Sequence, residues 1–243
     1  MPDLRRRGQR RLTLPNIVGS VLNAAPHDLP WSGGRGESHG VTAGPTYRMT
    51  VGSQTLELPL VPIADDLTIA LLICVDLGVS FADIAGRELA AQVSTFDPEV
   101  VVSVATMGIP LAIEVTRSLG LDDYVILHKT PKIHLGESIA EPVRSITTDR
   151  PQVLRMDPAR VPSVKGRRVA VVDDVISTGA STQAALNLVR RVGGDPVVVG
   201  SLVTEGSGWR RTLGPDAANV RALGSMPVFR PDPAGGDLVE DWD

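Results

Sequence analysis

Residues 167–182 read RRVAVVDDVISTGAST, and these residue types in this order could hold a phosphorylated sugar. Four aliphatic residues (Val169, Ala170, Val171, Val172) lead into two adjacent carboxylates, Asp173 and Asp174. Ser177, Thr178, Gly179, Ala180, Ser181 and Thr182 then open a segment with helical spacing. The first turn of a helix presents unpaired N–H groups and a partial positive charge to an anion. The four hydroxyls add donors. Two carboxylates would repel that anion, so they should face a neutral polyol or a metal ion. A phosphate beside a diol describes a ribose 5-phosphate. An ordinary strand-to-helix turn with polar caps does not require two acids followed by four hydroxyls.

A second stretch repeats the geometry. Val104-Ala105-Thr106-Met107-Gly108-Ile109-Pro110 takes an apolar run through a glycine-containing turn into a helical segment. Its backbone N–H groups can receive an anion, although a plain strand-to-helix connection accounts for it equally well. A third stretch, the roughly 40 residues between Leu127 and Arg167, has no convincing helical pattern, and connections of that length are usually lids or disordered. It carries Lys129, Thr130, Pro131 and Lys132, then Gly136 and Glu137, and a predicted hairpin of 145–148 with 152–156. Cations beside a strand end suit a substrate with several phosphate charges, and a mobile lid excludes water. Solvated surface is the competing reading of Lys and Glu in such a loop. His128 and His134 could be general bases or metal ligands, histidine being the side-chain type suited to either role, but no CxxC or HExxH pattern accompanies them, so a zinc site is rejected.

The elements that must position these residues follow from periodicity. Residues 47–51 and 54–58 flank Gly52-Ser53 as a hairpin. Helical spacing is predicted over 65–77 and 80–95, with Phe81, Ile84, Ala85, Leu89 and Val93 on one face. Strands are predicted at 100–104, 124–127, 169–172, 197–203 and 220–223, and helices at 109–119 and 179–192. Apolar strands alternating with amphipathic helices define an α/β fold, a mainly parallel twisted sheet flanked by helices. Ligands of such sheets bind beyond the carboxyl ends of the strands, where both turns lie.

Composition narrows the class. The chain has 243 residues, 42% hydrophobic and 21% charged, enough for one sizeable core. The lone cysteine, Cys74, excludes an intrachain disulfide and a thiolate zinc cluster, fits a reducing cytoplasm, and sits in an apolar run as core filler. Five arginines open the chain (Arg5, Arg6, Arg7, Arg10, Arg11) with no apolar stretch and cleavage site behind them, which argues against a secretory signal. The apolar run 67–75 is far too short to span a bilayer. Residues 1–48 carry seven Lys/Arg against three Asp/Glu, and the remainder 17 against 25. An acidic body argues against general nucleic-acid binding. The expected organisation is a flexible Arg/Gly/Pro-rich leader at 1–45, one domain over 46–230 including a small hood and a flexible lid loop, and an acidic tail at 231–243.

Four aliphatics, Asp-Asp, two residues and Ser-Thr-Gly-x-Ser together resemble the phosphoribosyl-diphosphate signature of type I phosphoribosyltransferases. The resemblance implies that Asp173 and Asp174 hold the ribose 2- and 3-hydroxyls and that Ser177, Thr178, Gly179, Ala180, Ser181 and Thr182 wrap the 5-phosphate. It assigns Ala105, Thr106, Met107 and Gly108 to the diphosphate loop, Lys129 and Lys132 to diphosphate neutralisation, and Glu137 to a moving catalytic loop. Two departures stand out: Ala180 replaces a second glycine found in many members, and the loop 105–107 lacks the charged side chain that many relatives carry. Magnesium accompanies the substrate, 5-phosphoribosyl 1-diphosphate, and the acid pair would face it. The segment 57–66 (ELPLVPIADD), ATMGIPLA and VRSITT resemble adenine/xanthine-type purine enzymes over roughly 47–203. They imply a purine acceptor, adenine first, then xanthine, hypoxanthine or guanine. Residues 61–67 and 205–209 are candidates for the hood, and Asp65, Asp66 and Glu205 for the group that reads or deprotonates the base. The family expectation is a homodimer. Some proteins of this fold instead sense phosphoribosyl diphosphate and regulate transcription or RNA; the basic leader keeps that alternative open, while Lys129, Lys132 and Glu137 favour catalysis.

Overall fold

The computed structural model describes residues 44–131, 138–143 and 152–243. The leader up to residue 43, Lys132, His134, Glu137 and the segment 145–148 lie outside the described residues. The chain divides into two compact units.

The hairpin forms as its turn signal predicts: β1 (Thr46–Val51) and β2 (Gln54–Ala64) meet at Gly52-Ser53, with Gly52 at φ +57°. Ser53 N–H donates to Glu88, and Gly52 N–H to the Leu223 carbonyl at 2.9 Å. After an exposed turn at Asp65 and Asp66, β3 (Leu67–Ala70) runs back antiparallel to β2. The helix expected over 65–77 is therefore not formed. Thr68 and Ala70 turn inward with the period of a strand, and only Cys74–Asp76 makes a 3-10 turn. A short apolar run fits either period, and pairing with β2 decides the outcome.

The larger unit holds residues 48–56, 72–227 and 242–243. In it α1 (Val79–Val93) buries Phe81, Ala85, Leu89 and Val93, as its spacing predicts. There follow β4 (Val100–Val104), α2 (Ile109–Ser118), β5 (Tyr124–Leu127), β6 (Ile139–Val143), β7 (Gln152–Met156), α3 (Val161–Val164), β8 (Arg168–Ile176), α4 (Ala180–Arg191), β9 (Asp195–Glu205), α5 (Trp209–Leu213) and β10 (Val220–Met226). The main sheet has the order β10-β9-β8-β4-β5, and all four pairings are parallel. Val100, Val102, Val169 and Val171 join Ala184, Ala185 and Leu188 of α4 in one buried cluster. Each such valine or leucine contributes about 1.5–3 kcal/mol by leaving water.

Three further boundaries differ from expectation. β8 runs on through Asp173 and Asp174 instead of ending before them, because β9 continues to pair with it as far as Ile176↔Thr204. The hairpin partner of β7 is β6, upstream of the 145–148 segment expected for that role; buried Val143 and Leu154 give this pairing its apolar side. The long connection after β5 also contains α3, a single turn begun by Pro162 near its start.

The smaller unit is completed by β11 (Val228–Pro231) and β12 (Leu238–Asp241), which give a second sheet of order β1-β2-β3-β11-β12. Fully buried Phe229 packs edge-on against Tyr47, with ring centroids 5.2 Å apart. The acidic stretch 231–243 supplies β12, where Arg230 joins Asp241 at 2.7 Å and Asp66 at 3.0 Å. No helix among the described residues is long and apolar enough to cross a membrane.

Candidate active site

Both glycine-containing turns lie at the carboxyl ends of neighbouring strands. β4 and β8 pair in parallel with Ser103 opposite Val172, so the turn 105–108 lies beside the acid pair. Asp173 is 8% exposed and Asp174 half-buried. The Asp174 N–H donates to Asp173 Oδ1 at 3.1 Å, and the Ser201 hydroxyl donates to the Asp174 carbonyl at 2.9 Å. Burial pushes the Asp173 carboxyl well up, the charge of Asp174 adds to this, and burial raises Asp174 as well. The positive charge of Lys129 works against both shifts. A buried acid pair with too little countercharge favours a ligand that brings hydroxyl donors or a cation.

After β8 the chain makes a loop of Ser177, Thr178 and Gly179. Gly179 sits at φ +78° as the N-cap of α4 and has no side chain to cap the helix, so first-turn N–H groups beyond that of Ala180 are left to a ligand. A Cβ on Gly179 would lie 3.2 Å from the Trp209 carbonyl and from Thr212, so α5 backs the loop closely. Ala180 is the first helical residue, and its N–H donates to Thr178 Oγ1 at 3.3 Å. The alanine in place of a second glycine is thus harmless: Gly179, not residue 180, needs the positive φ. Thr178 is exposed, Ser181 half-buried and Thr182 buried.

The turn after β4 is tied to β5 by the Ala105 N–H, which donates to the Leu127 carbonyl at 2.8 Å. The Ala105–Thr106 peptide is cis. Thr106 and Met107 are exposed, Gly108 is buried, and α2 begins without a side-chain cap. Lys129 follows β5 and is exposed. The described residues therefore gather Asp173, Asp174, the 177–182 loop, the 105–108 turn and Lys129 at one end of the sheet.

Two features escaped the sequence pattern. Gly108 lies so close to its neighbours that a Cβ there would stand 2.4 Å from Ser103 Oγ and 2.8 Å from Asp173 Oδ1. The Ser103 hydroxyl is fully buried without a hydrogen-bond partner among the described residues; the signal was there, since it is the one polar residue in the strand VVVSV. Removing an unpartnered buried hydroxyl without changing shape relieves a desolvation cost. Ser103→Ala is thus expected to raise stability by about 1 kcal/mol, read as a higher melting temperature. Glu205, one of three acids considered for the base, is 7% exposed at the end of β9; burial pushes its carboxyl up, and the nearby Ser177 hydroxyl opposes the shift. Asp65 and Asp66 are exposed in the other unit.

Cys74 is 2% exposed, and burial, reinforced by Asp174, pushes its thiol up to about 12. A protonated, enclosed thiol is no nucleophile, in keeping with core filler. Among the described residues no three His, Cys, Asp or Glu side chains gather as a metal cluster. The acid pair alone is too small a ligand set for a resident metal. It fits a magnesium ion that takes its remaining oxygens from substrate and water.

A profile of the phosphoribosyl transferase domain matches residues 80–218, and the chain belongs to that family. Over 129 residues it is 30% identical to an orotate phosphoribosyltransferase of Caldanaerobacter subterraneus subsp. tengcongensis, covering 53% of this chain and 56% of that protein. Over 105 residues it is 32% identical to the transcriptional regulator GfcR 1 of Methanosarcina barkeri, covering 43% and 45%. The matches thus span about half the length of these relatives. Among solved structures, the adenine phosphoribosyltransferase of Thermoanaerobacter pseudethanolicus superposes with a TM-score of 0.55 at 16% identity, over 70% of this chain and 95% of that one. A likeness at that identity speaks for the fold alone.

Proposed function

We propose that the protein transfers the 5-phosphoribosyl group of 5-phosphoribosyl 1-diphosphate to a nucleobase nitrogen and releases diphosphate. The carrying observation is the acid pair on β8, flanked by two turns whose helices have a glycine at the N-cap and no cap from that residue's side chain. One turn receives the 5-phosphate through first-turn N–H groups and the hydroxyls of Thr178, Ser181 and Thr182. Asp173 and Asp174 hold the ribose diol and place negative charge near C1 as the ring becomes cationic. The turn of Ala105, Thr106, Met107 and Gly108 receives the diphosphate with Lys129, and Lys132 and Glu137 are assigned to the loop that covers it. Magnesium, when bound through the substrate, neutralises charge on the leaving diphosphate. Preorganised donors of this kind are worth about 3–4 kcal/mol each in the transition state.

The acceptor we favour is a purine, adenine before xanthine, hypoxanthine or guanine, in a salvage role for a homodimeric cytoplasmic enzyme. The purine-type motifs in the sequence support this, and the kinship with an orotate enzyme makes orotate the necessary competitor. Mixing the protein with magnesium, phosphoribosyl diphosphate and each of adenine, hypoxanthine, guanine, xanthine and orotate tests the reading. Nucleotide and diphosphate should form with a purine, and no product with any base would overturn it. The identity to GfcR favours a second reading, a sensor that binds phosphoribosyl diphosphate without turnover. The same mixture separates the two.

A further inference from the structure

β4 contains one hydroxyl that the fold leaves unused. Ser103 is fully buried, and its Oγ has no hydrogen-bond partner among the described residues. The rest of the strand, Val100, Val101, Val102 and Val104, is buried and apolar in its side chains. A buried hydroxyl without a partner is costly, and alanine would fit the position without that cost. Such a group calls for a physical reason, and its surroundings supply one. Gly108 brings its bare Cα against both Ser103 and Asp173: a Cβ there would stand 2.4 Å from Ser103 Oγ and 2.8 Å from Asp173 Oδ1. The two oxygens flank one spot, and a small movement of either would join them, yet Ser103 makes no such bond in this structure. Asp173 Oδ1 accepts the Asp174 N–H at 3.1 Å, and a carboxylate has about four acceptor positions. A donor without an acceptor stands beside an acceptor with positions to spare.

We propose that Ser103 is a positioning residue for Asp173: when a ribose diol occupies the acid pair, the Ser103 hydroxyl donates to Asp173 Oδ1 and fixes the carboxylate in its diol-binding orientation. This rests on reading the acid pair as the ribose site. A carboxylate turns about its bond to Cβ, and a hydrogen bond from the rigid strand behind it stops that rotation. Groups that hold a ligand are kept in place by such supporting bonds. Gly108 leaves room for the bond to form, since any side chain there would crowd both oxygens. The empty protein therefore carries an unmatched hydroxyl, and binding of the diol matches it. Stability and ligand affinity pull in opposite directions at this one residue.

Calorimetric binding of ribose 5-phosphate, with magnesium present, tests the proposal without needing turnover. Ser103→Ala should bind it about tenfold more weakly than wild type, and should bind inorganic diphosphate, which has no diol, within about twofold. The empty variant should melt higher than wild type yet gain less melting temperature from saturating ribose 5-phosphate. In an Asp173→Ala background, Ser103→Ala should change ribose 5-phosphate binding by less than about twofold, because the acceptor is gone. Equal affinity of wild type and Ser103→Ala for ribose 5-phosphate would overturn the proposal. So would a tenfold loss that persists in the Asp173→Ala background, or an equal loss for diphosphate, which would place the effect in the turn. An empty Ser103→Ala variant that melts lower or does not fold would also overturn it, since the hydroxyl would then be a structural bond. Failure of wild type to bind ribose 5-phosphate would overturn the proposal and the ribose-site reading together. If the binding pattern appears but diphosphate is never released with any base, the transferase reading alone fails and the role of Ser103 stands.

Discussion

Replacing Asp173 and Asp174 together by asparagine should lower turnover by at least about 10³-fold, leave the chain folded, and raise its melting temperature at neutral pH. Both effects come from one cause. The carboxyls lie in β8 directly after four wholly buried residues, Val169 to Val172, and burial raises both above the ordinary carboxylate value. They bind protons more tightly in the folded chain than in the unfolded one. Their contribution to stability is therefore greatest below the unfolded value of about 4 and is lost as pH rises through the raised folded values. At neutral pH the wild type carries this cost and the amides do not. For a chain of this size each kcal/mol relieved is roughly 2–4 °C in melting temperature. The amides lack the negative charge needed beside a developing cation and beside magnesium. Thermal melts at pH 4 and pH 7.5, with turnover assays, check the prediction. A variant that retains turnover would remove the acid pair from the diol-binding role, and a gain in stability larger at pH 4 than at pH 7.5 would contradict the electrostatic cause.

Gly108→Ala should be nearly as damaging, for a steric reason. Gly108 has φ −73°, a conformation open to alanine, so backbone preference plays no part. The added methyl would stand 2.4 Å from Ser103 Oγ, 2.8 Å from Asp173 Oδ1 and 3.2 Å from the Val104 carbonyl. Overpacking of this kind costs about 1–3 kcal/mol, and the relief available is movement of the very carboxylate the site needs. We expect a loss of at least about 100-fold in kcat/KM, the scale of one misplaced catalytic group. Ser103→Ala in the same chain removes the shortest contact and leaves the one to Asp173. The double variant should recover stability without recovering turnover. Full recovery of both would show that Ser103, rather than Asp173, sets the need for glycine.

The contrast between these residues shows what the sequence could reveal. The acid pair and its hydroxyl loop were legible because their chemistry lies within a dozen consecutive residues. β4 and β5 fell where their apolar runs placed them, β4 wholly buried and β5 apolar with Val125 and Leu127 buried. The close approach of Gly108 to Asp173 joins residues 65 positions apart, and the influence of Ser177 on the buried Glu205 carboxyl joins residues 28 apart. No local pattern encodes either. The 65–77 stretch was misread for a similar reason: Leu67, Thr68, Ile69 and Ala70 adopt the period of whatever pairs with them. β11 and β12 escaped notice because Pro231 and the charged residues around them weaken any strand signal.

The order in which the smaller unit's strands occur along the chain has a consequence for synthesis. β1, β2 and β3 are made first, but the outer edge of β3 is covered by β11, whose residues emerge more than 150 positions later. On a ribosome adding about 5–20 residues per second, that edge waits on the order of ten seconds with its backbone donors and acceptors unpaired. Meanwhile the parallel sheet bearing the acid pair can be completed from residues that emerge before β11. An unpaired edge is a template for association with another chain. Interruptions of translation between β10 and β11 are therefore the point at which the nascent chain is most exposed to aggregation, with its parallel sheet already formed.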